Sequence, residues 1–286
     1  MPRRARYAAA GALAGLVAMA ITWYLAHDVA VVRQADANVL KGFLGLGRPG
    51  LDRLTHAIAT LCDPVPYVLL AAVPVAIALL RGRPRVAVAL TALLLGANEV
   101  TEVLKPLLTG ARDPVSGVFD LTHSTWPSGH ATASMTLALA MVISVPGRLR
   151  PAVGAVMAAF TVAVCWSFLE LGWHYPSDVL GGFEVASVST LLTLAGLWTY
   201  EAHRPELARR MAAARPASSL GAALGPPVVL IAGAVAIAAV VLAARPHAVI
   251  DYARAHETFL AGAGAIAALS FACAVGLNAM LRRLPS

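Results

Sequence analysis

The sequence predicts an all-α fold, a polytopic bundle of membrane helices, on three observations. Apolar runs of about 20 residues, enough to cross a hydrocarbon core of roughly 30 Å as helix, recur along the chain with short polar breaks between them. Hydrophobic residues make up 59% of the 286 positions and charged residues 13%, a balance that argues against water as the solvent. The arginines gather on alternate loops. One side collects Arg3, Arg4 and Arg6, then Arg81, Arg83 and Arg85, then Arg148 and Arg150, then Arg204, Arg209, Arg210 and Arg215, and finally Arg282 and Arg283. This positive-inside pattern places that side and both termini in the cytoplasm of a multi-pass cell-membrane protein. The formal charge of +7 thus has a topological cause. No basic stripe interleaved with aromatics and no nucleic-acid motif accompanies it, so nucleic acid is set aside as a partner.

Taken in order, about eight spans are predicted: near Tyr7 to Ala26, Pro64 to Leu80, Val86 to Leu108, Gly129 to Val145, Pro151 to Gly172, Ser177 to Trp198, Pro226 to Ala244 and Thr258 to Leu281. The first has the basic start and apolar middle of a secretory signal, but its apolar run exceeds the usual signal core of about 7–15 residues, so it reads as a span. Between the first and second spans, Leu40, Phe43, Leu44, Leu51, Leu54, Ile58 and Leu61 recur at near-helical spacing. They predict an amphipathic surface helix broken by Pro49 and Gly50. Three divisions follow: a six-span core over 1–200, a basic cytoplasmic linker over 201–220, and a two-span hairpin over 221–286. The hairpin carries almost no ionisable side chains within its spans and reads as a structural or subunit-contact element, which leaves a homo-oligomer open. GALAG from Gly11 and GAALG from Gly221 match small-xxx-small helix packing. Cys62, Cys165 and Cys273 lack metal-ligand spacing and read as small core or lipid-facing residues.

Ionisable residues near membrane depth are costly and therefore candidates for function. With the topology above, Glu99, Glu102, Lys105, Arg112, His123, His130, Glu170, His174 and Asp178 all fall at the outer ends of spans three to six. The third span ends in EVLKPLLTGARDP, with Lys105 and Arg112 seven positions apart. Lys105 could snorkel to the headgroups or meet a partner, of which Glu102, one turn away, is the simplest. STWPSGHATASM opens the fourth span, and its free first-turn amides at Ser128 and Gly129 could bind phosphate or another anion. Ser128 is also explained by capping alone, and His130 in that first turn by an interfacial position. In WSFLELGWHYPSD, Pro176 stops one span and opens the next. Asp178 then lies in the first turn of the sixth span, either as a plain cap or as the carboxylate that orients His174.

Together, Lys105 with Arg112, PSGH from Pro127 to His130, and His174 with Asp178 resemble the type 2 phosphatidic acid phosphatase superfamily of integral membrane lipid phosphatases, whose members include undecaprenyl-diphosphatase-like and phosphatidylglycerophosphatase-like enzymes. The resemblance implies that His174 is the nucleophile that takes the phosphoryl group, that Asp178 orients it, and that His130 protonates the leaving group and then activates water. It implies that Lys105, Arg112 and the backbone at Ser128 and Gly129 hold the phosphate oxygens. It also implies a membrane lipid phosphate as substrate, an active site on the outer face, and no metal or other cofactor. The soluble vanadium haloperoxidases share this phosphate pocket, but the many spans argue against that branch.

Two departures from the family pattern stand out. Asp113 replaces the proline of the first motif, although Pro114 follows. Phe168 replaces the arginine six residues before His174, and no arginine occurs between Pro151 and His174. A charge-assisted contact of the kind lost is worth about 1.5–3 kcal/mol. Three functions therefore compete: hydrolysis of a lipid phosphate or diphosphate, transfer of a phosphoryl or headgroup to another acceptor, and lipid binding by a catalytically weak member of the fold.

Overall fold

A computed structural model describes residues 1–47, 50–108, 125–204 and 242–283, together with residues 110, 112 and 115 and scattered positions between 225 and 240. Among the described residues the fold is all helical. The helices are α1 (Arg3–Asp28), α2 (Ala30–Leu44), α3 (Asp52–Ala59), α4 (Pro64–Leu80), α5 (Pro84–Leu107), α6 (Gly129–Ser144), α7 (Arg150–Glu170), α8 (Pro176–Ala202), α9 (Pro246–Ala255) and α10 (Glu257–Arg283), with a short 3-10 turn, Thr60–Cys62, after α3. Five of these, α4, α5, α7, α8 and α9, have proline within their first two positions. There the missing N–H costs nothing and the fixed φ suits a helix.

Helices α1, α5, α7, α8 and α10 are long and apolar enough to cross a membrane, and α3 with α4 makes a sixth such unit across a 60° bend. On α1, Leu13, Leu16, Val17 and Ile21 are exposed. Apolar side chains facing outward in this way require lipid as the solvent. The predicted span from Pro226 to Ala244 is described only at interrupted positions, and the linker from residue 205 onward lies outside the described residues.

The 16-residue α6 is the axial helix. It packs against α4, α5, α7 and α8, and every residue from Ala131 to Ala140 is buried. Hydrogen bonds accommodate several of its hydroxyls: Thr132 Oγ1 donates to Ser128 O at 2.9 Å and accepts from Thr101 Oγ1 of α5 at 3.1 Å, and Ser134 Oγ donates to Ala131 O at 3.2 Å, whereas Thr136 Oγ1 is buried with no partner among the described residues. Gly11 and Gly15 of GALAG face α8 at Leu191 and Val188. The amphipathic segment forms α2 and α3 on either side of Gly50, with Leu40 and Phe43 buried rather than laid on a surface. What covers them includes α10: Phe259 meets Phe43 edge-on at 4.9 Å, and Ser270 Oγ donates to Ala158 O of α7 at 3.0 Å. The last helix is thus packed onto the core. All three cysteines are free, with Cys62 and Cys165 buried.

The arginines of the predicted cytoplasmic loops meet one end of the bundle. Arg4 pairs with Glu201 at 3.0 Å, Arg83 donates to Ile143 O at 3.4 Å, and Arg85 and Arg204 lie over the Tyr200 ring. Helix α8 is 27 residues long, about 40 Å at 1.5 Å per residue. That distance separates this end from the one that carries Asp178.

Candidate active site

The site is built where α7 stops and α8 starts. Gly172, with φ +70°, reverses the chain after α7: its N–H donates to Leu169 O at 3.0 Å and the Trp173 N–H to Phe168 O at 2.9 Å. A left-handed residue at this position favours glycine. Two residues later His174 is buried, and Tyr175 and Pro176 open α8. Asp178 Oδ2 accepts the Tyr175 N–H at 2.9 Å and lies 3.3 Å from His174 Nδ1. One carboxylate oxygen therefore both caps the helix and holds the imidazole. With Nδ1 engaged, Nε2 of His174 is the nitrogen left for chemistry.

His130 enters from the start of α6. Ser128 is the N-cap, its Oγ accepting the Ala131 N–H at 3.3 Å. Its own N–H donates to the Asp178 backbone oxygen at 3.0 Å, which locks the first turns of α6 and α8 together and commits the Ser128 amide to protein. The Gly129 and His130 amides, at the first two helical positions, have no intrahelical acceptor by geometry. A Cβ on Gly182 would lie 2.7 Å from Ala131 Cβ and 2.8 Å from Ser128 O, so glycine is what permits this approach. The His130 and His174 rings come to 6.3 Å.

Phe168 fills the space beside both histidines. It is fully buried, with its ring 5.3 Å from His174 and 5.8 Å from His130. Trp173 packs 5.5 Å from His130 on another side. Phe168 therefore faces the two histidines.

The cations are placed differently from one another. Lys105 Nζ is 2.6 Å from Glu102 Oε1 and 3.5 Å from where a Cβ on Gly129 would stand, so it sits against the α6 N-terminus. Arg112 is buried between two carboxylates. It pairs with Asp178 Oδ1, and its Nη1 donates to Ser177 Oγ at 2.8 Å and to Asp36 Oδ2 at 3.2 Å. Its Nε is buried with no hydrogen-bond partner among the described residues, and its guanidinium lies over the Tyr175 ring. Glu170 does not serve either cation; it accepts from Thr55 Oγ1 at 3.5 Å. Glu99 is exposed on α5 and stands apart from the cluster. Asp113, Pro114 and His123 lie outside the described residues.

Two carboxylates at the site escaped the reading of the sequence. Asp36 of α2 accepts the Ser177 N–H at 2.9 Å and the Ser177 hydroxyl at 2.6 Å as well as Arg112, and so caps α8 from another helix. Burial pushes its carboxyl up to about 6, against the pull of Arg112 and the Ser177 donors. Asp63, between the 3-10 turn and α4, lies 2.9 Å from His130 Nε2. Among the described residues no group of three or more His, Cys, Asp or Glu side chains could hold a metal ion.

The family model of the PAP2 superfamily matches residues 8–202. The chain belongs to that superfamily. The matched PAP2 region covers α1 to α8 and ends at the last residue of α8, leaving α9 and α10 outside it. A crystal structure described as the first transmembrane PAP2-type phosphatidylglycerolphosphate phosphatase, from Bacillus subtilis, is similar in fold, with a TM-score of 0.56 and 20% sequence identity over 68% of this chain and 98% of that one. No curated protein matches this PAP2 chain at a significant level. PAP2 membership and the shared fold fit the multi-pass, all-helical bundle described above.

Proposed function

We propose that this chain hydrolyses a lipid-linked phosphate or diphosphate at the outer membrane face through a phosphohistidine on His174. The observation that carries the reading is the junction of α6, α7 and α8, where a buried histidine held by a buried carboxylate faces a second histidine at a helix N-terminus beside a lysine. The Nε2 lone pair of His174 attacks phosphorus, and the bond to the leaving oxygen breaks. His130 gives that oxygen its proton and then takes one from water, whose attack breaks the P–N bond and releases phosphate. Lys105, the open amides at Gly129 and His130, and Arg112 Nε are assigned to the phosphate oxygens on this reading. Phosphoryl transfer gains mainly from such positioning and charge. With the nucleophile supplied by a side chain, no metal is needed to generate it.

The face follows from charge. The arginine-rich end of the bundle belongs in the cytoplasm by the positive-inside rule, and the histidines lie at the other end. Phe168 and the commitment of Arg112 to two carboxylates leave less positive charge than a hydrolase of a dianionic phosphate would ordinarily use. That observation favours, as the second reading, transfer of a phosphoryl or headgroup to a lipid acceptor in place of water.

The test is purified protein with a panel of lipid phosphates and diphosphates, with and without chelator. Phosphate release that survives chelator and is lost in His174→Ala supports hydrolysis. Label passing to a second lipid without phosphate release supports transfer, and binding without either reaction defeats both.

A further inference from the structure

The bend between α3 and α4 brings to the site a carboxylate that none of the three motifs contains. Asp63 occupies the N-cap position of α4, where an aspartate ordinarily accepts the N–H of the second or third helical residue. Here the sequence continues Pro64, Val65, Pro66, so the first and third positions have no N–H to offer. The Asp63 side chain makes no capping bond. Its Oδ1 lies instead 2.9 Å from Nε2 of His130.

The other charged neighbours of His130 disfavour its protonation or are occupied. His174 stands 6.3 Å away, ring to ring, Lys105 lies against the same helix start, and the positive end of the α6 dipole adds to both. Glu102 is bonded to Lys105, and Asp178 to His174 and Arg112. Glu170 is turned to Thr55, and His56 lies beyond Trp173. Asp63 is the carboxylate in direct contact.

We infer that Asp63 is a positioning residue for His130: it holds Nε2, presents Nδ1 to the reacting group, and favours the imidazolium that protonates the leaving oxygen. The site then contains two histidine–aspartate pairs, one for the nucleophile and one for the acid. This inference rests on the phosphatase reading above for its chemistry, but the pair itself can be tested separately.

Two measurements on the full-length protein in detergent test it. In the first, kcat/KM for dioctanoyl phosphatidic acid or farnesyl diphosphate, whichever the wild type hydrolyses, is followed across pH for wild type, Asp63→Asn and Asp63→Glu. An acid that must be protonated sets the alkaline limb, so Asp63→Asn should move that limb down by about one pH unit, about a tenfold loss on the alkaline side. Asp63→Glu should restore most of it. A limb that stays in place, or equal losses in Asn and Glu, overturns the inference. In the second, the His130 imidazole is titrated by NMR in protein labelled at histidine with nitrogen-15. Asp63→Asn should lower its midpoint by about the same unit, and an unchanged midpoint overturns the inference even in an active enzyme. A shifted midpoint in a protein that releases no phosphate defeats the phosphatase reading and leaves the pair standing.

Discussion

Phe168 stands where the resemblance drawn from the sequence implies an arginine, and its fully buried ring packs on both histidines. Replacing it with arginine would place a guanidinium where a phosphate bonded to His174 has its oxygens. A hydrogen bond to a charged group contributes about 1.5–3 kcal/mol, which corresponds to about a ten- to hundredfold gain in phosphate affinity. The gain has a counterpart in the ligand-free protein. The nearby carboxylates are engaged, Asp178 with Arg112 and His174 and Asp63 with His130, so the new cation would be buried without a partner. Removing a buried phenylalanine ring costs several kcal/mol in its own right, about 3–5 for truncation to alanine.

The two effects separate in one assay. Thermal unfolding of Phe168→Arg in detergent, without and with inorganic phosphate or vanadate, should show a lower midpoint than wild type without ligand and a larger rise with it. Phe168→Met, which removes the ring and adds no charge, should show the lower midpoint alone. Titration calorimetry with phosphate then gives the affinity directly. A folded Phe168→Arg protein that binds phosphate no better than wild type would refute the argument that this position is the vacant phosphate clamp.

Two further substitutions probe the frame of the site. Arg112→Met leaves Asp36 and Asp178 buried without their cation and should destabilise the protein by about 3–5 kcal/mol; adding Asp36→Asn should recover part of that loss, a coupling readable by a double-mutant cycle in thermal or denaturant unfolding. Gly182→Ala puts a methyl within 2.9 Å of the Thr132 backbone nitrogen and closer still to Ser128 O. Overpacking of this kind costs about 1–3 kcal/mol, and because the Ser128 turn carries His130, phosphate release should fall more than the unfolding midpoint does.

The parts of this fold that lipid and proline dictate were legible in the sequence. Apolar length gave α1, α5, α7, α8 and α10, and the expected starts at Pro64, Pro151 and Ser177 fall within a residue of α4, α7 and α8, while α5 begins at Pro84, two residues before the expected Val86. The proximity of Glu102 and Lys105 followed from helical spacing. What stayed hidden arises from contacts between helices far apart in the chain. Asp36 is 141 positions from Ser177, and nothing in an amphipathic surface segment announces that it will cap another helix. Asp63 had a weak local signal, an N-cap aspartate with prolines at the first and third helical positions, which removes one of its two usual capping donors but does not say where the carboxylate goes. The burial of Leu40 and Phe43 beneath α10 was likewise invisible, because an apolar face on a surface helix reads the same whether lipid or another helix covers it.

The two cations of the first motif show why position in a motif does not fix a role. The sequence contains no Lys or Arg between Arg112 and Arg148 and none between Pro151 and His174, so Lys105 and Arg112 are the cations this stretch of chain can bring. Arg112 is buried and bonded to Asp36, Asp178, Ser177 and Ala26. Turning it wholly toward a phosphate would strand two buried carboxylates, at a cost on the order of 3–5 kcal/mol, more than a new charged contact of about 1.5–3 kcal/mol returns. Lys105 differs in that its ion pair with Glu102 is exposed, the carboxylate by 62%, and an exposed pair of this kind contributes roughly 0–1 kcal/mol. Breaking that one pair costs less than a new charged contact to phosphate of about 1.5–3 kcal/mol returns. On the proposed reading Lys105 is therefore the cation that would answer a phosphate, while Arg112 answers Asp178 and through it His174. The other donors to the phosphate on that reading are uncharged or fixed, the Gly129 and His130 amides and Arg112 Nε, so a protonated His130 would add charge to binding as well as the proton.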